Sequence, residues 1–294
     1  LWLFDNNLTG EIPPEIGNLT NLTYLKISWN PITGTIPPEI GNLTNLTHLY
    51  LNLNQLTGEI PSEVGNLTNL NQLWLGGNQL TGEIPSEIGN LINLNYLDLG
   101  NNQLTGEIPN EIGELIYLKR LLLDNNELIG EIPPNIYNLT DLEWLFLKNN
   151  QLTGVLLDEI DNFVNLDKLF LNNNQLNGYI PPSICNLSIG LFIPSPLNGE
   201  WDFDLSNNHF CLPYPTCITM YSFEDYLVGY QECLECSETL GDLNYDGIVN
   251  IIDVVSLVNC ILSDSRCDIC FDINYDGEIN VVDIISLVNI ILDI

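Results

Sequence analysis

The sequence repeats itself with a period of 24 residues. Asn6, Asn30, Asn54, Asn78, Asn102, Asn126, Asn150 and Asn174 stand in one phase, and Gly10, Gly34, Gly58, Gly82, Gly106, Gly130, Gly154 and Gly178 in another. Around them runs the pattern L-x-x-L-x-L-x-x-N-x-L-x-G, as in Leu46, Leu49, Leu51, Asn54, Leu56 and Gly58. A unit this short cannot bury its apolar face alone, so the chain must stack coil upon coil. The Leu positions alternate inward along a short strand. The in-phase Asn is expected to hydrogen-bond backbone groups where the chain leaves the strand, because buried polar groups are paired.

The pattern is identified as a leucine-rich repeat. Its segment TGEIPxEIG resembles the plant-type subclass of receptor-kinase ectodomains and polygalacturonase inhibitors, which also occurs in some bacterial surface proteins. The resemblance covers residue 1 to about residue 180. A degenerate coil follows at 201–210, keeping Phe203, Leu205 and Asn208, and then CLPYPTC, in which Cys211 with Cys217 resembles a disulfide cap over the end of the core.

Period-two geometry says which side chains face outward on the concave sheet. One column reads Tyr24, His48, Gln72, Tyr96, Arg120, Trp144, Lys168; the next reads Trp2, Lys26, Tyr50, Trp74, Asp98, Leu122, Phe146, Phe170. Four of the six basic residues, Lys26, Arg120, Lys148 and Lys168, share this face. Aromatic groups there form stacking platforms for sugars or hot spots for a protein, and the bland alternative is cross-strand packing. Binding is the expectation, with Tyr24, Lys26, His48, Tyr50, Trp74, Tyr96, Arg120, Trp144, Phe146, Lys168 and Phe170 as the binding residues.

Charge narrows the partners. With 39 Asp and Glu against 6 Lys and Arg, the formal net charge is −33. Such a surface repels nucleic acid phosphates and anionic membranes and attracts divalent cations. No apolar run reaches the roughly 18 residues of a membrane span. Eight Cys, gathered toward the C-terminal end, suit an oxidising, extracellular or cell-surface setting. The chain opens on LWLFDNNLTG, already within a repeat and with no signal peptide, as expected of a processed or partial chain. His48 and His209 are the only histidines, and neither sits in a motif with a nucleophile or metal partner, so an enzyme is not expected.

Asn-Leu-Thr or Asn-Leu-Ser occurs at Asn7, Asn18, Asn21, Asn42, Asn45, Asn66, Asn138 and Asn186. These satisfy the N-glycosylation rule. They also arise from the repeat consensus GNLTNL, without any selection for sugar. Five of them, Asn18, Asn42, Asn66, Asn138 and Asn186, share one phase and therefore one edge of the solenoid.

Near the C-terminus the pattern changes to two copies of an oxygen-rich loop. Asp242, Asn244 and Asp246 take positions 1, 3 and 5, Gly247 position 6, the Ile248 carbonyl 7, Asn250 position 9 and Asp253 position 12. The second copy is Asp272, Asn274, Asp276, Gly277, Glu278, Asn280 and Asp283. Hard oxygen donors at this spacing enclose Ca²⁺, so two calcium sites are expected. Each loop runs into an apolar helix, IIDVVSLVNCIL or VVDIISLVNIIL, with no entering helix. Loop, helix, linker and then the same again resembles a dockerin over residues 240–294. That resemblance implies a cohesin-like partner and a pseudo-two-fold module. Many type I dockerins carry Ser or Thr just before the last ligand; Ile251, Ile252, Val281 and Val282 stand there, leaving Ser256, Leu257, Ser286 and Leu287 as docking candidates.

The expected fold is thus α/β: a leucine-rich repeat solenoid over 1–210, a Cys-rich cap and connector over 211–239, and a small calcium-binding helical dockerin-like module over 240–294. The expected function is non-enzymatic extracellular adhesion or assembly, through a cohesin-like protein or another copy of the chain, with head-to-tail filaments as one outcome. The alternatives are capture of a polysaccharide or foreign protein on the concave face, and an accessory role in a cellulosome-type complex.

Overall fold

The computed structural model describes residues 1–187, 202–211, 214–219, 241, 248–262, 273 and 279–292. The repeats carry three-residue strands whose central Leu points inward and whose neighbours point outward, and the last is a two-residue strand with Phe203 inward. The strands are β1 (Tyr24–Lys26), β2 (His48–Tyr50), β3 (Gln72–Trp74), β4 (Tyr96–Asp98), β5 (Arg120–Leu122), β6 (Trp144–Phe146), β7 (Lys168–Phe170) and β8 (Phe203–Asp204). They pair in chain order as one parallel sheet. The register holds Leu25, Leu49, Leu73, Leu97, Leu121, Leu145 and Leu169 in line, and the last pairing sets Leu169 against Phe203. These inward Leu are buried in a continuous core that runs the length of the solenoid.

Opposite the sheet, the coils turn through short 3-10 helices that bury an Ile or Val, as in Pro38–Asn42 with Ile40, and Pro opens each of those described except Asp158–Asn162, which follows Leu157. Gly41 is required by proximity: a Cβ there would strike the backbone oxygen of Glu63 in the next coil. The Asn ladder forms as expected. Asn102 Oδ1 accepts from Leu80 N at 3.1 Å, while its Nδ2 donates to Leu75 O at 3.2 Å and Leu99 O at 3.0 Å. Asn208 of the degenerate coil repeats this, accepting from Leu176 N at 3.0 Å and donating to Leu171 O at 3.1 Å.

One residue before the ladder, the backbone turns left-handed. Asn101, Asn125, Asn149, Asn173 and Asn207 occupy that position with φ of 54–58°, and Trp29 and Leu53 do so at φ 58° and 56°. Asn suits this region; Trp and Leu do not, because Cβ crowds the following carbonyl oxygen. The later Asn residues join head to tail: Asn149 Nδ2 donates to Asn125 Oδ1, Asn173 Nδ2 to Asn149 Oδ1 and Asn207 Nδ2 to Asn173 Oδ1, each at 2.6 Å.

The far end is closed by Ile218, buried in the same core on the short helix Thr216–Thr219, with Tyr214 and Cys217 packed beside it. The cysteine pairing differs from the expected one. Cys217 bonds Cys185, with Cα atoms 5.6 Å apart, and Cys211 is disulfide-bonded separately. Cys211 ends the strand His209–Cys211, which pairs along the flank with Asn177–Tyr179, whereas Cys217 returns over the coil end beside Pro182–Asn186. The cap therefore staples back into the repeats.

Helices α1 (Ile251–Leu262) and α2 (Val281–Leu292) form a separate core of Val254, Leu257, Ile273 and Leu287. No helix among the described residues is long and apolar enough to cross a membrane.

Candidate binding face and docking module

The two outward columns stand on the inner face in the expected order, each residue opposite its counterpart in the next coil. The rings do not form an open platform, however. Trp2 stacks on Tyr24 with centroids 5.4 Å apart, Tyr24 on His48 at 4.4 Å, and Trp74 on Tyr96 at 4.5 Å, all within 22° of parallel. Tyr24 with Tyr50, His48 with Tyr50, Tyr50 with Trp74, and Phe146 with Phe170 meet edge to face, and most rings are half-buried among one another. Trp2, 69% exposed, is the exception. The tips are linked: Tyr24 Oη donates to Tyr50 Oη at 3.1 Å, and Tyr50 Oη to Gln72 Oε1 at 2.6 Å. Burial and the Tyr24 hydroxyl raise the Tyr50 phenol. Burial lowers the His48 imidazole, whose Nδ1 lies 2.9 Å from Thr47 Oγ1.

The C-terminal half carries the cations. The Arg120 guanidinium carbon lies 3.7 Å from the centre of the Trp144 ring and 5.5 Å from that of Tyr96. Lys168 Nζ stands 5.2 Å over Trp144 and pairs with Asp202 at 2.8 Å; Lys148 Nζ stands 5.2 Å over Phe170. Lys26 sits at the other end, 4.4 Å over Phe4. Between the halves lies Asp98, whose carboxyl accepts from Gly100 N at 3.1 Å. Burial pushes Asp98 up to about 6, against that hydrogen bond, and nearby Asp124 adds to the rise. Burial raises Asp124 too, opposed by Lys148.

All eight sequon asparagines are exposed. Asn45 Nδ2 donates to Thr20 O at 2.9 Å, and Asn186 Nδ2 to Asp161 Oδ2 at 3.0 Å.

Of the expected calcium ligands, Asp242, Asn244, Asp246, Asp272, Asn274, Asp276 and Glu278 lie outside the described residues. Ile248, Asn250, Asp253, Asn280 and Asp283 lie within them. Asp253 and Asp283 are fully buried. Asp253 Oδ2 accepts from Asn250 N at 2.8 Å while Asn250 Oδ1 accepts from Ile252 N at 2.8 Å, and Asp283 with Asn280 and Val282 repeats both bonds at 2.8 Å. This is a capping box with Asn for Ser and Asp for Glu. Asp283 Oδ1 also accepts from Ile273 N of the preceding loop at 2.8 Å. A carboxylate buried at each helix start, which follows an oxygen-rich stretch in the sequence, fits Ca²⁺.

Leu257 and Leu287 are not docking residues: both are fully buried, on the inward stripe of their helices. Ser256 and Ser286 are partly buried and donate to the carbonyls of Ile252 and Val282 at 3.1 and 3.0 Å. The outward stripe is instead Ile251, Ile252 and Val255 on α1, and Val281, Val282 and Ile285 on α2. The helical period places 255 and 285 there, one turn beyond 251 and 281, and that spacing is readable in the sequence.

A leucine-rich repeat family model matches residues 1–19, 21–43, 93–115, 117–139, 141–163 and 165–187, and a second, of two repeat copies, matches 44–86. A dockerin type I model matches 240–292. No curated protein matches the sequence. Among solved structures, the leucine-rich repeat ectodomain of the plant membrane receptor kinase GASSHO1/SCHENGEN3 from Arabidopsis thaliana, in complex with CASPARIAN STRIP INTEGRITY FACTOR 2, is 39% identical at a TM-score of 0.68 over 74% of this chain and 25% of its own. The Arabidopsis receptor kinase HAESA ectodomain, with an IDA peptide hormone ligand, is 32% identical at 0.68 over 76% and 36%. A plant ice-binding protein is 27% identical at 0.58 over 81% and 84%. The chain thus spans a quarter to about two-fifths of the receptor ectodomains it resembles. Leucine-rich repeats and dockerins are interaction modules without catalytic machinery, type I dockerins generally bind calcium and attach to cohesins, and the receptor ectodomains are extracellular. The chain belongs to the leucine-rich repeat family and carries a type I dockerin domain.

Proposed function

We propose that this is a non-enzymatic extracellular or cell-surface adhesion and assembly protein. The solenoid displays a recognition face, and the module at 240–294 attaches it, with two bound Ca²⁺, to a cohesin-like partner. The carrying observation is the duplicated outward stripe: Ile251, Ile252 and Val255 on one helix, Val281, Val282 and Ile285 on the other, all exposed on helices that bury their opposite side. Exposed apolar groups paired in this way mark a contact surface. Six oxygen positions per loop supply the calcium, with Asp253 and Asp283 joining each site to its helix. Filament formation is the self-association version of the same docking, and a cellulosome-type role is the version with a scaffold partner. Titration of the full chain against purified cohesins, with calcium and with chelator, tests the reading. Calcium-dependent binding supports it; equal binding in chelator, or none to any cohesin, sinks it.

The inner face is read as a protein-binding surface in preference to a polysaccharide platform, because its rings cover one another's faces. Glycosylation of the exposed sequon row belongs to the same extracellular reading. An intact mass unchanged by enzymatic deglycosylation would remove it.

A further inference from the structure

The chain has 39 acidic and 6 basic residues, and among the described residues Lys26, Arg120 and Lys148 stand in no ion pair. The ion pairs there join Lys119 to Glu143 and Lys168 to Asp202. Arg120 stands between Tyr96 and Trp144 on the neighbouring strands β4 and β6, its guanidinium flat enough on Trp144 to lie 3.7 Å from the ring centre. Stacking of this kind fixes the plane of the fork, so little rotamer freedom is left to lose when its N–H edge meets a carboxylate.

Two further cations stand near Arg120 on the same face. Lys148 and Lys168 stand in the next two coils, over Phe170 and Trp144. Asp98 on β4 and Asp124 beyond β5 act, together with Arg120, on the Tyr96 hydroxyl. Burial raises both carboxyls, and Lys148 opposes the rise at Asp124. The rings beside this cluster pack on one another, Trp74 on Tyr96 and Trp144 beside Phe146, and supply half-buried apolar area suited to a peptide.

We infer that Arg120, held against Trp144, anchors a carboxylate of an acidic protein segment that lies along the inner face. The inference rests on the protein-binding reading of that face. A bidentate Arg–carboxylate contact supplies direction as well as attraction.

The test uses the full chain in calcium, probed with an array of short peptides in which Asp or Glu is exchanged for Asn or Gln, and with polygalacturonate. Wild type should retain acidic peptides over their amide counterparts. Arg120→Gln should weaken that retention on the order of ten- to a hundredfold, the loss of a charge-assisted hydrogen bond. Arg120→Lys should recover little of it, because the fork and the stack are lost with the guanidinium. Retention indifferent to the acid-to-amide exchange, or unchanged in Arg120→Gln, overturns the anchor; polygalacturonate retained in place of peptides overturns the protein assignment. Tyr50→Ala separates the two levels. If it abolishes retention while Arg120→Gln does not, the face stands and the anchor falls. If neither substitution matters, the inner-face reading falls as well.

Discussion

Asp253 and Asn250 hold each other across the first turn of α1: the Asp253 carboxylate accepts from Asn250 N at 2.8 Å, and the Asn250 side chain accepts from Ile252 N, also at 2.8 Å. A residue expected to bind calcium is therefore also a helix cap. Asp253→Ala should cost about 1 kcal/mol of module stability in chelator, where only the cap is lost. In calcium the cost should be larger, because a ligand is lost as well. Chelator alone should lower the melting of α1 and α2 and leave the solenoid transition in place. Thermal melts of the full chain followed by helix ellipticity, with and without chelator, check both. A variant indistinguishable from wild type in chelator would show that the cap contributes nothing.

Within the solenoid, Asn126 Oδ1 accepts from Leu104 N at 3.0 Å and Nδ2 donates to Leu123 O at 3.0 Å and Leu99 O at 3.1 Å. Asn126→Ala strands buried groups in neighbouring coils, at about 1–3 kcal/mol for each group left unsatisfied. The denaturant midpoint of the variant should fall accordingly, and a loss below about half a kilocalorie would mean the ladder is dispensable.

Trp29 offers the opposite sign. Its left-handed backbone is strained for a side chain of that size, and 57% of the residue is exposed. Trp29→Asn, the residue used at the equivalent place in five other coils, should stabilise the fold by about 1 kcal/mol. An unchanged or lower melting temperature would show that the indole packing outweighs the strain.

Asp98 predicts a pH dependence. Its carboxyl is raised to about 6 in the folded chain, so between pH 4 and 6 the native state binds more protons than the unfolded one. Stability should therefore rise as pH falls through 6, by an amount on the order of 2 kcal/mol once the group is fully protonated. Asp98→Asn should flatten that slope and stabilise the protein at pH 7. Urea midpoints at a series of pH values provide the measurement. A slope that persists in the variant assigns it to another group.

Much of the solenoid is legible in the sequence because a 24-residue period and a two-residue alternation leave one way to bury Leu25 and its counterparts. The same alternation places Arg120 and Trp144 side by side. It does not say that the rings turn toward each other, since that is a choice of rotamer made by the neighbours of Tyr24 and Trp74. In sequence Leu257 and Leu287 adjoin Ser256 and Ser286 and look equally available; in a helix, one residue's step turns a side chain about 100° away, and both Leu are buried. The Cys185–Cys217 pairing is illegible for a further reason: it joins a coil to a segment that folds back over it, and nothing in the spacing announces that return.

That return has a mechanical meaning. The docking module lies C-terminal to the repeats, so any pull on a docked molecule enters the solenoid from that end. Force arriving at Cys217 passes through the covalent link to Cys185, within the turn Pro182–Asn186, before it can peel the last coil, 202–211, from the stack. A pull that reaches Cys217 is thus shared by a coil gripped on both sides by its neighbours.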